Sequence, residues 1–151
     1  MDMPRPSNDH RRLERFVGTW VGVETCHPSP LDPTGGMATG RFEYRLALGG
    51  FFLVSDYVQK RDGIPDFLGH GVYGFDTAVG TFTMDWFDSM GSRSRAEGRW
   101  EGDALVFENR NPTTRARYIH RLDGGEYVFR LELSTAGAAW RPILEGRYLK
   151  G

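Results

Sequence analysis

Four side chains in this sequence could carry acid–base chemistry if the fold brought them together. They are the imidazoles of His70 and His120 and the carboxylates of Glu24 and Asp88. A histidine paired with a carboxylate can act as general base and acid near neutral pH. The sequence has no phosphate-binding glycine loop, no His-Glu-x-x-His and no Gly-x-Ser-x-Gly. Any such site must therefore be assembled by the fold, and the elements that position these residues decide whether it exists.

Length and composition are those of an ordinary globular chain. The 151 residues predict a single domain over 1–151, with residues 1–7 flexible. The formal net charge of −1 gives no electrostatic reason to expect nucleic acid or an anionic membrane as partner. The single cysteine, Cys26, excludes an internal disulfide and a cysteine-based metal cluster, and we predict no metal site. The polar N-terminus lacks the apolar core of a signal peptide, so we expect a cytoplasmic protein.

One short helix is predicted near the N-terminus, from Asn8 to Val17. Ser7 precedes it and can cap its first turn. The residues with the i, i+3, i+4 spacing of one apolar helix face are Leu13, Phe16 and Val17. We expect this face to close one end of a barrel and to pack near Trp20.

Three glycine-containing turns set the register of three hairpins: Gly49-Gly50, Gly102-Asp103 and Gly124-Gly125. Each register separates an apolar strand face from a charged one. The predicted inward residues include Phe42, Tyr44, Leu46, Leu53, Tyr118, Phe129 and Leu131. The predicted outward residues include Arg41, Arg45, Arg99, Arg117 and Glu132. One apolar and one charged face on every hairpin is typical of a sheet that closes around a single interior.

The sequence therefore predicts an all-β fold, a closed antiparallel up-and-down β-barrel of about ten strands with one short N-terminal helix. The longest connection, His27 to Gly36, is rich in proline and glycine and follows the first strand. We predict that it forms a lid over the open end.

Glu24 faces inward if Trp20 does, because residues two and four apart share a strand face. A buried carboxylate is costly unless it is hydrogen-bonded or paired. Glu24 therefore lies either at the wet rim of the barrel or in a functional polar cluster with Asp88. Buried carboxylates are rare, which favours the rim.

His120 faces inward by the Gly124-Gly125 register, either as a core histidine with its hydrogen bonds satisfied or as a ligand contact. The direction of His70 depends on the turn between Asp76 and Gly80. A five-residue turn puts His70 inward beside Trp86, whereas a four-residue turn puts Tyr73 and Phe75 inward. The predicted ligand-contacting residues are Tyr44, His70, Trp86, Tyr118 and His120.

Several segments together resemble an uncharacterised bacterial family of lipocalin-like barrels, the domain of unknown function 1579. They are Leu13-Glu14-Arg15-Phe16-Val17-Gly18-Thr19-Trp20-Val21-Gly22, Gly40-Arg41-Phe42, Gly49 with Phe51-Phe52-Leu53-Val54-Ser55-Asp56-Tyr57, Gly69-His70-Gly71-Val72-Tyr73-Gly74, Trp86-Phe87-Asp88-Ser89-Met90-Gly91 and Trp100-Glu101-Gly102-Asp103. This resemblance covers nearly the whole chain and implies a calycin-type barrel. It implies no activity.

A looser resemblance links the Gly18-x-Trp20-x-Gly22 opening and the following Pro28 to nitrobindin-type haem barrels. Those barrels use a late histidine as the axial haem ligand. The late histidine here, His120, lies in a hairpin rather than in the closing strand. The resemblance implies haem binding through His120, and that departure counts against it.

The interior expected from these patterns has aromatic walls and a few polar groups, which is typical of a small-molecule pocket. We predict a non-enzymatic barrel that binds a small, mainly apolar or aromatic molecule and needs no cofactor. The alternatives are an enzyme in which His70 or His120 works with Glu24 or Asp88, and a haem-binding barrel. A homodimer through outward strand faces is also predicted, on the residues Val21, Val23, Phe52, Val54 and Val58.

Overall fold

Ten antiparallel strands close into a barrel in the part of the chain that the computed structural model describes, residues 2–30, 32–110 and 113–151. The strands are β1 (Gly18–Cys26), β2 (Gly36–Ala47), β3 (Phe52–Arg61), β4 (Ile64–Asp76), β5 (Thr81–Asp88), β6 (Arg93–Glu101), β7 (Ala104–Arg110), β8 (Thr114–Asp123), β9 (Glu126–Thr135) and β10 (Arg141–Lys150). Each strand pairs with its neighbours in sequence, and β1 pairs with β10 to close the sheet. The predicted all-β up-and-down barrel is confirmed.

The N-terminal helix is shorter than predicted. Helix α1 covers Asn8–Arg12, and a single 3₁₀ turn, Leu13–Phe16, follows it. Ser7 caps α1 as expected, because its hydroxyl accepts a hydrogen bond from the backbone N–H of His10. The flexibility predicted for residues 1–7 stays a prediction, and Met1 lies outside the described residues.

The helix and the 3₁₀ turn cover one end of the barrel, which we call the closed end. There Leu13, Phe16 and Trp20 belong to one buried cluster, and the Trp20 Nε1–H donates to the Phe16 carbonyl over 2.9 Å. The predicted packing of the helix face near Trp20 is confirmed. The other end, which we call the open end, carries the described part of the β1–β2 connection and the turn before β6.

The three predicted hairpin registers are confirmed. Tyr44 lies opposite Ser55, Trp100 opposite Leu105, and His120 opposite Phe129. The first turn is longer than two residues, because Leu48–Gly50 forms a 3₁₀ turn between β2 and β3.

The predicted burial of Leu46 is wrong. Its side chain is 37% exposed although its cross-strand partner Leu53 is buried. Leu46 lies two residues beyond Tyr44, the last residue of β2 that pairs with β1, so it lacks a neighbour on that side. Glu132 lies on the outer face as predicted, between the guanidinium groups of Arg117 and Arg130 at 3.2 and 2.9 Å.

The outward apolar residues expected to form a dimer surface do not form one continuous patch. Val21 and Val23 are exposed, whereas Val54 is buried. Arg41 stands opposite both Val21 and Val58 and separates them. Association of two copies stays a prediction, which light scattering can test. Within the described ranges, no helix is long and apolar enough to cross a membrane.

Candidate functional site

A cavity of about 580 Å³ occupies the open half of the barrel. Its apolar wall includes Phe42, Phe67, Met84, Trp86, Phe129 and Leu131. Its polar lining includes Gln59, Ser94, Tyr118 and His120, with charged side chains nearer the opening. A mainly apolar wall with a few convergent polar groups, at this volume, is typical of a site for a small molecule.

His120 is held at the inner end of this cavity by β8. Its side chain is 4% exposed, and its Nδ1 lies 2.7 Å from the Tyr127 hydroxyl. That hydroxyl lies 2.7 Å from the hydroxyl of Tyr44. Burial lowers the pKa of His120 to about 3, so the imidazole is neutral at physiological pH. Its Nε2 is buried and has no hydrogen-bond partner among the described residues.

Tyr44 and Tyr118, both predicted to contact a ligand, occupy different positions. Tyr118 lines the cavity, and burial raises the pKa of its hydroxyl. Tyr44 does not line the cavity, because it is packed in the core at the closed end. Its hydroxyl bonds to that of Tyr127, which bonds to His120, so Tyr44 helps to position these groups from outside the cavity.

Trp86 lines the cavity as predicted, and its indole N–H donates to a carboxylate oxygen of Asp88 over 3.2 Å. The ring lies against β4 at Gly69, where an added Cβ would come within 2.2 Å of it. Only glycine leaves that space. The other carboxylate oxygen of Asp88 accepts hydrogen bonds from the backbone N–H groups of Met90 and Ser92, which fixes the turn after β5.

The direction of His70, which the sequence left open between two turn lengths, is outward, so the predicted ligand contact at His70 is wrong. The turn after Asp76 has four residues, since Asp76 pairs with Thr81 and its carbonyl accepts from the Gly80 N–H over 2.8 Å. That parity turns Tyr73 inward and His70 outward. The His70 side chain is 43% exposed, and its Nδ1 lies 2.8 Å from the carboxylate of Asp56 on the outer face. His70 is therefore not a cavity residue.

The predicted rim position of Glu24 is also wrong, because its side chain is 0% exposed. The Tyr57 hydroxyl lies 2.8 Å from both carboxylate oxygens, and Gln59 Nε2 donates to one of them over 3.0 Å. The Tyr148 hydroxyl donates to the other over 2.5 Å. These three donors replace the water that the carboxylate loses on burial. Burial first, and the neighbouring carboxylate second, raise the pKa of both tyrosines.

Small residues make room for this cluster. An added Cβ at Gly40 would lie 2.2 Å from a carboxylate oxygen of Glu24, and one at Gly146 would lie 2.1 Å from the Tyr148 hydroxyl. Gly146 is the direct cross-strand partner of Glu24. The sequence alone does not show this pairing, because only the closed sheet brings β1 beside β10. Asp88, the predicted partner of Glu24, is not part of the cluster.

The histidine–carboxylate pairs proposed from the sequence do not form: neither histidine is hydrogen-bonded to Glu24 or Asp88 within the described residues. His70 pairs with Asp56 outside the barrel, and His120 bonds to Tyr127. Within residues 2–30, 32–110 and 113–151, no group of three or more His, Cys, Asp or Glu side chains is arranged to hold a metal ion.

The surroundings of His120 do not fit haem. An axial histidine must present its free nitrogen to an opening wide enough for the macrocycle. Here the rings of Phe129, Tyr73 and Phe107 lie 5.0, 5.7 and 5.8 Å from the imidazole, which leaves little room for a macrocycle beside it. Haem binding remains a prediction to be tested.

The β1–β2 connection reaches the mouth of the cavity, where the lid was predicted. Arg61 ties it to the barrel, because its guanidinium pairs with Asp32, donates to the Gly35 carbonyl over 3.2 Å and pairs with Asp66 at 3.1 Å. The hydrogen bond from Arg61 lowers the pKa of Asp32. Cys26 lies just inside, and burial raises the pKa of its thiol.

A closed antiparallel barrel with a helix over one end and a cavity at the other is a calycin-type fold. The chain belongs to the family described as protein of unknown function (DUF1579), whose model matches residues 5–150. No curated protein is significantly similar to it in sequence.

Two solved structures share the fold. Rv2717c from M. tuberculosis is 16% identical, with a TM-score of 0.74 over 96% of this chain and 98% of that chain. The fluorescent protein UnaG, wild type, is 13% identical, with a TM-score of 0.60 over 92% of this chain and 99% of that chain. At these identities the likeness concerns the fold alone.

Proposed function

We propose that the barrel binds a small, mainly apolar molecule, aromatic or acyl, in its open-end cavity and performs no reaction on it. The observation that carries the proposal is the cavity of about 580 Å³, walled by rings such as Phe42, Trp86 and Phe129. Binding of an apolar ligand to such a wall is favourable, because it removes apolar surface from water.

The polar lining supports the same function. His120 Nε2 is a buried nitrogen without a hydrogen-bond partner among the described residues, and such atoms cost free energy unless something satisfies them. A ligand with one polar group could fill the cavity and supply that hydrogen bond. The neutral state of His120 suits hydrogen bonding to a ligand, because one ring nitrogen carries a proton and the other does not.

Filling the cavity tests the proposal directly. Ala116 lines it, so Ala116→Phe should abolish binding of phenylbutanol, a neutral aromatic probe, in chemical-shift titrations. The matched control is Ala78→Phe in the exposed turn after β4, which should bind as the wild type does. Equal binding in both variants would place the probe outside the barrel. Native mass spectrometry of the purified protein shows separately whether a molecule is carried through purification.

The contribution of His120 can be measured with the same kind of titration. His120→Ala should weaken the binding of an oxygen-bearing probe such as phenylbutanol by about 1–3 kcal/mol, the cost of one buried hydrogen bond. Ile119→Ala, one position along β8 on the outer face, is the control and should leave the affinity unchanged. Equal affinities in wild type and both variants would remove His120 from the site. A Soret band in the purified protein would instead favour haem.

A further inference from the structure

We infer that the ligand carries a hydrogen-bond donor, in the first place an ammonium group, rather than a carboxylate. This inference rests on the proposed function, because it names the class of molecule that the same cavity would select. It concerns the charged and polar atoms that line the cavity. The charged side chains in the described part of its lining are Asp32, Arg61, Asp66 and Asp88.

Three of these four groups are carboxylates, and the single cation is already engaged. Arg61 pairs with Asp32 and Asp66 and donates to the Gly35 carbonyl. A ligand carboxylate would have to compete with two protein carboxylates for that guanidinium. Since like charges repel and an unpaired buried carboxylate is costly, the mouth disfavours an acid.

Asp88 is the carboxylate without a cation. Its hydrogen bonds come from the Trp86 indole and from two backbone N–H groups, and it makes no ion pair within the described ranges. Neutral donors leave its negative charge in place. A ligand ammonium group could form a charge-assisted hydrogen bond with this carboxylate.

Gln59 adds a neutral acceptor on the same wall. Its side-chain N–H₂ group is committed to Glu24 at 3.0 Å, to the Tyr57 hydroxyl at 3.1 Å and to the Cys26 sulfur at 3.7 Å. The carbonyl oxygen is then the side of the amide left for a ligand. Glu24 acts here as a positioning residue, because it fixes which way the amide points.

The second observation is the Nε2 atom of His120, which has no hydrogen-bond partner in the described part of the chain. It belongs to a side chain that is more than nine-tenths buried at the inner end of the same cavity. The lining thus offers polar contacts at both ends and rings between them. A molecule with an apolar middle, a polar atom for His120 and a donor group directed at the mouth matches this order of groups. In a probe with one polar group, we expect a hydroxyl to bond to His120 and an ammonium group to turn towards Asp88.

Three probes that share one apolar body test the inference: phenylbutylamine, phenylbutanol and phenylbutyrate. We expect the amine to bind most tightly, the alcohol less tightly and the acid least, with about tenfold or more between amine and acid. That ratio corresponds to one charge-assisted hydrogen bond. The preference should shrink as salt is raised from low to moderate concentration, since the mouth carboxylates are partly in water.

Each outcome is decisive. If the acid binds as well as the amine, the inference is overturned and the proposed cavity function stands. If none of the three probes binds at millimolar concentration, the proposed function fails and the inference fails with it.

Asp88→Asn tests whether Asp88 causes the preference for the amine probe. The variant keeps an oxygen for the turn after β5 but loses the charge, so amine affinity should fall about tenfold while alcohol affinity stays close to that of the wild type. Asp85→Asn is the matched control, because Asp85 lies on the same strand, faces outward and pairs with Arg95. Unchanged amine affinity in folded Asp88→Asn would overturn the assignment to Asp88. The salt dependence of the wild type tests the charge preference without any substitution.

Discussion

The two ends of the barrel are built from the same ten described strands but have opposite interiors. At the closed end the interior is filled: Phe16 stacks on Trp100 at 5.8 Å and lies 6.0 Å from the ring of Tyr127. At the open end the strands enclose about 580 Å³ of free space, and charged groups such as Arg61 and Asp88 surround the opening.

This difference separates stability from binding within one sheet. Filled aromatic packing contributes several kilocalories per mole per large side chain, whereas partly exposed ion pairs contribute about 1 kcal/mol or less. We therefore expect substitutions at the closed end to change the free energy of unfolding, and substitutions at the open end to change ligand affinity and exchange. Four predictions test this expectation.

Trp20→Ala should produce the largest effect. Trp20 is buried at the closed end and its indole N–H bonds to the Phe16 carbonyl, so truncation leaves a large void and a carbonyl without its donor. We expect a loss of about 3–5 kcal/mol in urea denaturation. Val21→Ala, the exposed neighbour, is the control and should cost about 0.5 kcal/mol or less. A loss below about 1 kcal/mol for Trp20→Ala would show that the closed end is not the main source of stability.

The second prediction concerns Glu24, which lies along β1 between the two ends. Glu24→Ala leaves the Tyr57 and Tyr148 hydroxyls and the Gln59 amide without their shared acceptor. We expect a loss of about 2–4 kcal/mol. Glu24→Gln keeps one oxygen and the volume and should cost less. Urea denaturation compares the two variants. Equal losses would mean that the volume and the single oxygen kept by glutamine contribute nothing, and that the cluster requires both carboxylate oxygens.

The error about Glu24 shows which part of the site the sequence determines. Strand alternation from Trp20 correctly directed Glu24 inward. The rim position followed from the rarity of buried carboxylates, a general tendency that gives way when donors surround the group. Those donors come from β3 and β10, and Tyr148 is far away in sequence, so only the closed sheet brings them together.

The hairpin registers were predictable because glycine turns act locally. Gly124-Gly125 fixed His120 opposite Phe129, and the structure agrees. His70 was not predictable, since the turn after Asp76 lacks such a signal and one residue of turn length reverses a whole strand face. The burial of Leu46 was predicted wrongly for a different reason. Alternation gives the direction in which a side chain points, but not whether the neighbouring strands extend far enough to cover it.

The third prediction is a pH dependence that arises at the inner end of the cavity. Burial lowers the pKa of His120 to about 3, below its value of about 6.5 in an unfolded chain, so between these values the unfolded state binds the extra proton. Stability from this group is complete above pH 6.5 and is lost as the pH falls towards 3. Between pH 7 and pH 5 we expect a loss of about 2 kcal/mol.

The matched variant His120→Phe removes this titration and keeps the aromatic volume. Urea denaturation of wild type and variant at pH 7 and pH 5 isolates the contribution of His120, because the other histidines are common to both proteins. Between pH 7 and pH 5, the free energy of unfolding should fall by about 2 kcal/mol less in the variant than in the wild type. An identical pH dependence would mean that His120 is not enclosed as the structure shows.

The smallest effect on stability is expected at the open end, for Arg61→Met. The substitution keeps most of the apolar stem but removes the pairing with Asp32 and Asp66, and all three side chains are partly exposed. Water and salt screen such pairs, so unfolding should become easier by about 1 kcal/mol or less. Release of the β1–β2 connection should nevertheless speed the exchange of phenylbutylamine several-fold in NMR line-shape measurements. A stability loss above about 2 kcal/mol with unchanged exchange would reverse the division between the two ends, because the mouth would then stabilise the barrel without controlling access to it.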